Sequence, residues 1–155
     1  MDKNARILEL SSLSYLVSAS VGFVLASTVY LPADFLGYLN GQDVIRDFLT
    51  FKGTALSPPL VLLVLQLILT SWVADDGRWG RIGTVGLTIL GVFYAITQLG
   101  EPVILRALKF TNWGISMVFL FNLLFAVLMA IFGWCEWQRR SEQNADSADR
   151  SSGIW

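Results

Sequence analysis

The chain has 155 residues, of which 54% are hydrophobic and 15% charged, and its formal net charge is −1. A soluble domain carries about 25% charged residues, so this composition predicts a membrane protein, and the length allows one domain. The near-neutral charge offers no basic surface for nucleic acid. The chain contains no histidine and one cysteine, Cys135. Because the commonest metal and haem ligand is missing and no CxxC motif exists, we expect no metal site and no cofactor.

The first apolar run covers about residues 10–31 and predicts a membrane span. A secretory signal peptide is the alternative interpretation, and we expect the segment to be retained. Small residues recur every four positions along it, at Ser14, Ser18, Gly22 and Ala26. Such a stripe lets another helix approach closely. Ordinary packing within the chain is the preferred interpretation. The alternative is a partner-binding seam, such as a homodimer contact, through the last three of these residues.

The connection after the first span contains a helical pattern from Gln42 to Lys52. Its apolar positions, which share one face, are Val44, Ile45, Phe48 and Leu49. Its polar positions, on the opposite face, are Asp43, Arg46, Asp47 and Thr50. This pattern predicts an amphipathic helix that lies in the membrane interface and ends at Gly53. We expect its polar face to be solvated; the alternative is that this face binds a ligand or a partner.

Two further apolar runs form a predicted hairpin. The runs Pro58–Ala74 and Ile82–Leu99 flank a charged hinge, residues 75–81, and neither run contains a charged residue. The second and third spans therefore cover residues 58–74 and 82–99 and run antiparallel. Ser57 is the predicted N-cap of the second span, with Pro58 at its first helical position. Gly83 and Gly86 provide a close-approach surface on the third span, and this surface is a further candidate for partner binding.

The fourth predicted span covers residues 113–134 and begins and ends with tryptophan. At about 1.5 Å per residue, Trp113 and Trp134 lie about 32 Å apart, which matches the two aromatic belts of a bilayer. Residues 138–155 are polar, and we expect this tail to be disordered in isolation. Cys135, near the membrane boundary, is a candidate for palmitoylation, although a packed thiol is the preferred interpretation.

These elements predict an all-α membrane protein with one domain, residues 1–137. Its fold is a four-transmembrane-helix antiparallel bundle, with an extracytoplasmic interfacial amphipathic helix between spans 1 and 2. Basic residues are unequally distributed between its two ends. One end has seven, namely Lys3, Arg6, Arg78, Arg81, Arg139, Arg140 and Arg150. The other has four, namely Arg46, Lys52, Arg106 and Lys109. The positive-inside rule therefore places both termini in the cytoplasm of a cell-membrane protein.

Polar residues within and near the spans are the candidate ligand-binding groups. Gln66 and Asn122 lie near the middles of the second and fourth spans, and interhelical hydrogen bonding is their preferred interpretation. Gln98, Glu101 and Arg106 lie at the extracytoplasmic end. A carboxylate such as Glu101 is favoured at the start of a helix by the helix dipole. The alternative is that all five residues serve an apolar cavity beneath the interfacial helix.

Function is predicted from what these patterns lack. The four predicted span cores contain no ionisable residue, which weighs against proton-coupled transport and a polar ion pore. Without a histidine, a metal motif or a nucleophile motif, we expect the chain not to be an enzyme. The preferred interpretation is a small accessory or assembly subunit that packs against itself or a larger membrane complex. The alternative is a binder or carrier of a lipid or apolar small molecule through an outer-leaflet mouth. Membrane lipids are expected partners in either case.

Overall fold

The computed structural model describes residues 2–33, 43–101 and 113–152, with side chains described as far as residue 143. It is all-helical, and the only β contacts in these ranges are isolated bridges. The helices are α1 (Lys3–Thr28), α2 (Val44–Leu49), α3 (Leu60–Val73), α4 (Arg78–Leu99) and α5 (Trp113–Ser152). Three of them, α1, α4 and the Trp113–Gln143 part of α5, are long and apolar enough to cross a membrane. Helix α3 is apolar but has 14 residues.

The two longest helices bury residues at alternating intervals of three and four. In α1 the buried seam comprises Ala5, Leu8, Ser12, Tyr15, Ala19, Gly22 and Ala26. In α5 it comprises Ile115, Phe119, Asn122, Ala126, Met129, Gly133, Glu136 and Arg140. An average interval of 3.5 residues keeps one face of a helix toward its neighbour, as in coiled-coil packing. The seam of α1 starts well before residue 10, so this helix begins earlier than the predicted span. At its first residue, the Asp2 side chain caps the helix by accepting a hydrogen bond from Lys3 N at 2.7 Å.

Each of the four long or apolar helices has its most extensive contacts with two others. Helix α1 packs mainly against α3 and α5, and α4 packs mainly against the same two helices. Glycines allow the close approaches, as predicted for Gly83 and Gly86. A Cβ atom on Gly83 would lie 2.7 Å from the carbonyl oxygen of Leu69, and one on Gly86 would lie 2.8 Å from the Leu69 side chain. On the other side of α4, a Cβ on Gly91 would lie 2.7 Å from the carbonyl oxygen of Ala126.

The start of α1, the turn between α3 and α4, and the later part of α5 meet at one end of the molecule. The Arg139 guanidinium lies 2.7 Å from the Asp2 carboxylate. Arg140 donates hydrogen bonds to the carbonyl oxygens of Val73 and Asp75, at 2.9 and 2.8 Å. Its Nε donates to the fully buried Glu136 at 2.6 Å. These contacts join three segments that the sequence predicts to lie on the same side of a membrane, and we call this region the basic end.

Two boundaries at the basic end differ from the predictions. The hinge is shorter than residues 75–81, because α4 begins at Arg78 and Arg81 N donates to the Gly77 carbonyl at 3.3 Å. Helix α5 continues to Ser152, where we expected a disordered tail. Hydrogen bonds from Arg139 and Arg140 to Glu136, at spacings of three and four residues, support the helix beyond the apolar segment.

Helix α2 corrects the predicted amphipathic pattern. It has six residues, and the Asp43 side chain caps it by accepting hydrogen bonds from Ile45 N and Arg46 N. The prediction that Asp47 lies on a solvated face is wrong, because Asp47 is only 5% exposed, whereas Ile45 is 58% exposed. The buried contact of α2 instead includes Phe48, whose ring stacks on Phe23 of α1 with centroids 3.9 Å apart. Gln42, the predicted start of this helix, lies outside the described residues.

Candidate ligand-binding site

Residues 50–59 form an irregular segment that lies among the helices, and we call it the embedded loop. Its residues 54–57 are all buried. The carbonyl oxygen of Leu56 accepts a hydrogen bond from Asn122 Nδ2 at 2.8 Å, and Ala55 N donates to the Leu31 carbonyl at 3.4 Å. A Cβ atom on Gly22 would lie 2.5 Å from the same Leu56 oxygen. The loop is therefore fixed to both α1 and α5.

The embedded loop contacts α5 well inside that helix and not at its first turn. Asn122 comes nine residues after Trp113, the first residue of that helix, which is about 14 Å at about 1.5 Å per residue. Irregular backbone at such a depth of a membrane protein is tolerated where it is buried in protein or lines a cavity. The Asn122 amide donates a hydrogen bond to one backbone carbonyl of the loop, that of Leu56.

Glycine and proline cause the irregular backbone. Gly53 has φ +76°, and a Cβ atom there would lie 2.8 Å from the Ser57 carbonyl oxygen. Thr54 N donates to that same oxygen at 2.7 Å, which closes a tight turn. Pro58 and Pro59 then delay the helix, so α3 begins at Leu60 with Pro59 as its N-cap. The prediction that Ser57 caps this helix is wrong, because no side chain caps it. The resulting 14 residues span about 21 Å, less than the hydrocarbon core of about 30 Å.

A cavity of about 360 Å³ lies between the embedded loop and the last turns of α4. Its volume falls at the lower end of the range for small-molecule sites, about 300–1,000 Å³. Its wall is mainly apolar and includes Phe51, Leu56, Leu62, Phe93 and Ile96. Phe51, Phe93 and Ile96 are exposed, so they form the rim toward the surroundings. Polar side chains enter the wall at the end of α4 and from the loop, namely Lys52, Thr54, Ser57, Thr97, Gln98 and Glu101.

Gln98 is the polar residue with the most distinctive environment. It is 8% exposed, and its Nε2 donates a hydrogen bond to the Tyr15 hydroxyl at 3.3 Å. Tyr15 is held in place because its ring stacks on Tyr94, with centroids 4.6 Å apart. Gln98 Oε1 is buried and has no hydrogen-bond partner among the described residues. A buried amide oxygen without a partner is uncommon. Gln66 Oε1 and Asn122 Oδ1 also lack a partner among the described residues, and of these three residues only Gln98 lines the cavity.

The hydroxyl groups of the cavity wall are engaged with backbone oxygens. Thr54 Oγ1 donates to the Ser57 carbonyl at 3.4 Å, and Ser57 Oγ donates to the Pro58 carbonyl at 3.2 Å. Thr97 Oγ1 donates to the Tyr94 carbonyl at 3.1 Å. A nucleophilic hydroxyl needs a side-chain base as its hydrogen-bond acceptor, and these contacts do not supply one.

The structure brings together only part of the predicted ligand-binding set. Gln98 and Glu101 both line the cavity. Gln66 lies deeper and donates to the backbone and side-chain oxygens of Ser12 at 3.0 and 2.9 Å, an interhelical contact between α3 and α1. Asn122 supports the embedded loop from outside the cavity wall. Arg106 lies outside the described residues.

The residues predicted for partner binding are used largely within the chain. Gly22 and Ala26 are buried in α1, and Ser18 is half-buried. Gly22 lies against Leu56 of the embedded loop, and Gly83 lies against α3. Their small side chains therefore allow contacts between segments of one chain.

Sequence reasoning missed most of the cavity wall. We treated Ser57 and the two prolines as a helix start, although a pair of prolines soon after Gly53 also indicates irregular backbone. A short apolar segment next to such an interruption is a known indication of a binding site in membrane proteins. No sequence pattern identified Phe93, Ile96 and Thr97 as residues of the cavity wall.

A scan of protein-family models, a search of curated proteins and a search of solved structures found no match to this chain. A functional proposal therefore depends on the geometry of the chain itself.

Proposed function

We propose that the protein is a multi-pass membrane protein of the cell membrane with four spans. Helices α1, α4 and α5 supply three of them. The fourth consists of α3 together with residues 54–59 of the embedded loop, which extend the shorter helix within the surrounding protein. Antiparallel neighbours support this four-helix bundle: Ser12 of α1 meets Thr70 of α3 at 2.7 Å, whereas Gly22, farther along α1, meets Leu56.

We place both termini in the cytoplasm, with the embedded loop and α2 near the outer surface. The contacts at the basic end support this, because they gather the larger share of the lysine and arginine residues on one side. Single cysteines at Gln42 and Gln143, in a chain whose Cys135 is replaced by serine, test it with an impermeant thiol reagent on intact cells. We expect labelling of Gln42→Cys alone. Labelling of Gln143→Cys alone would reverse the orientation.

We further propose that the protein is a non-catalytic binder of a lipid or another apolar small molecule. One observation carries this proposal: the embedded loop, irregular backbone within the bundle, lines an apolar cavity together with Gln98, whose buried amide oxygen has no partner among the described residues. A mostly apolar wall with a few placed polar groups is the usual composition of a ligand site. The exposed rim residues connect the cavity to the membrane or to its interface.

Ligand retention tests the binding function. The protein is purified in a mild detergent, and native mass spectrometry measures the mass bound to the folded chain. Thr97→Trp places a large ring in the cavity, so we expect the bound mass to be lost. Val92→Trp is the matched control, because Val92 lies on the exposed side of the same helix. A wild-type chain without bound mass, or equal retention by both variants, would contradict the proposal.

The accessory-subunit function remains a second proposal, and a groove between α4 and α5 favours it. This groove of about 210 Å³ is lined by Val85, Thr88, Ile89, Trp134 and Trp137. Such an apolar groove could receive a helix of a partner subunit. A photoreactive amino acid at Ile89 should then crosslink to another protein in cells, whereas the same group at Val17, on the exposed side of α1, should not. Equal crosslinking from both positions would argue against a specific partner.

A further inference from the structure

We propose that the cavity binds a single-tailed, uncharged amphiphile whose hydroxyl head donates a hydrogen bond to Gln98 Oε1. This inference rests on the ligand-binding function proposed above and specifies the chemistry of the ligand. Long-chain alcohols and other lipid-like molecules with one tail and a hydroxyl head belong to this class.

The hydrogen-bonding pattern at Gln98 selects a donor. Gln98 Nε2 donates to the Tyr15 hydroxyl at 3.3 Å, and Oε1 is the group of the amide that has no partner among the described residues. An amide oxygen can only accept hydrogen bonds. Gln98 also lies in the last turn of α4, where the helix dipole gives the surroundings a partial negative charge. A ligand head that donates a hydrogen bond therefore fits this position better than a head that only accepts hydrogen bonds.

The charges of the wall argue against an ionic head. Lys52 and Glu101 both line the cavity, so the wall contains one positive and one negative side chain. The Lys52 ammonium lies 3.9 Å from the Asp47 carboxylate, which partly balances its charge. An anionic head also finds no backbone donor at Pro58 or Pro59, because proline lacks an N–H group. These features leave an uncharged donor as the best match.

The size and position of the cavity argue for one tail. A volume of about 360 Å³ suits a small ligand, and the apolar wall residues continue to an exposed rim formed by Phe51, Phe93 and Ile96. Burial of each methylene group of the tail contributes favourably through the hydrophobic effect. The tail can therefore lie along the apolar wall while the head reaches Gln98.

Competition in lipid nanodiscs tests the proposal. A photoreactive dodecanol with a diazirine in its tail labels the protein, and mass spectrometry identifies the labelled peptides. The competitors are 1-dodecanol, 1-methoxydodecane and dodecanoate, which share their chain length and differ in the head. We expect labelling in residues 51–59 or 93–101, and competition by dodecanol about tenfold stronger than by the methyl ether, which cannot donate. Dodecanoate should compete more weakly than the alcohol.

Variants assign the preference to one atom. Gln98→Met removes the acceptor at similar size, so the preference for dodecanol over the ether should disappear. Gln66→Met is the matched control, because Gln66 is also a buried glutamine with an unpartnered Oε1 but does not line the cavity. This control should keep the preference. Each result is a ratio between two probes on one protein. A change in the stability of a variant therefore does not by itself remove the preference for dodecanol over the ether.

The outcomes separate this inference from the function on which it rests. Absence of competable labelling in either segment would overturn both. Competable labelling with equal strength for alcohol and ether would overturn the hydroxyl assignment and leave ligand binding in place. Stronger competition by dodecanoate or by the ether would also overturn the assignment, as would a preference that survives in Gln98→Met.

Discussion

Replacing Arg140 with methionine should destabilise the folded chain by about 3 kcal/mol, because it removes one of the two arginines that pair with a buried carboxylate and leaves two backbone carbonyls without their donor. Arg140 is 7% exposed, and Glu136 is fully buried. The guanidinium donates to Glu136 at 2.6 Å and to the carbonyl oxygens of Val73 and Asp75 at 2.9 and 2.8 Å. One side chain thus connects α5 to the end of α3 and to the turn before α4.

The magnitude follows from burial and from the remaining partner. Removing one member of a buried ion pair costs about 3–5 kcal/mol, mainly because the other charge is left uncompensated. Arg139 still donates to Glu136 at 2.6 Å, so we expect the lower end of this range. Methionine keeps much of the apolar stem of arginine, and packing changes should therefore be small.

Equilibrium unfolding in mixed micelles, followed by tryptophan fluorescence, measures the change in free energy. Arg139→Met is the matched control, because Arg139 is 31% exposed and pairs with Glu136 and Asp2, whereas Arg140 is buried and also donates to two backbone carbonyls, so we expect a smaller loss for Arg139→Met. The double variant Glu136→Leu with Arg140→Met removes the buried charge as well, and should be more stable than Arg140→Met alone. If Arg140→Met loses no more stability than Arg139→Met, the reasoning about the basic end is refuted.

Two glycine substitutions test the packing of the helices and the embedded loop. Gly83→Leu should destabilise the chain by about 1–3 kcal/mol in the same unfolding assay, because even its Cβ would lie 2.7 Å from the Leu69 carbonyl oxygen. Gly77→Ala, where a Cβ meets nothing within 4 Å, should cost much less, and equal effects would contradict the close packing. Gly53→Ala should cost at least about 1–2 kcal/mol, since Gly53 has φ +76°, and should reduce ligand retention in native mass spectrometry. Unchanged stability and retention would show that this turn does not shape the cavity.

The sequence predicted the elements whose cause is local. The three helices long and apolar enough to cross a membrane and the return of α4 along α3 follow from the pattern of apolar residues and the short charged hinge. The sequence also placed Gln98 and Glu101 near each other, because they are three residues apart around the end of one helix, and both line the cavity. Gly83 faces a neighbouring helix, as a small residue on a helix face indicates.

Other features were predicted wrongly or missed, because residues outside the local sequence pattern determine them. Asp47 looks like a solvated position by helical periodicity, but it is buried, and its carbonyl accepts a hydrogen bond from Gly53 N at 2.9 Å. Glu136 belongs to a polar stretch of sequence, yet two arginines on the next turn allow its burial. Asn122 seemed suited to an interhelical hydrogen bond, and its partner is instead the carbonyl oxygen of Leu56 in the embedded loop.

The sequence by itself determined that this chain is helical and contains segments apolar enough to cross a membrane, because hydrophobicity and helical periodicity are properties of each segment alone. Only the tertiary structure decided that α3 starts late and that the preceding residues enter the interior. Buried backbone groups need hydrogen-bond partners, and the partners of the embedded loop, Leu31 and Asn122, come from two distant parts of the chain. The cavity beside Gln98 exists because that loop takes the place of a regular helical turn, which no single segment of the sequence specifies.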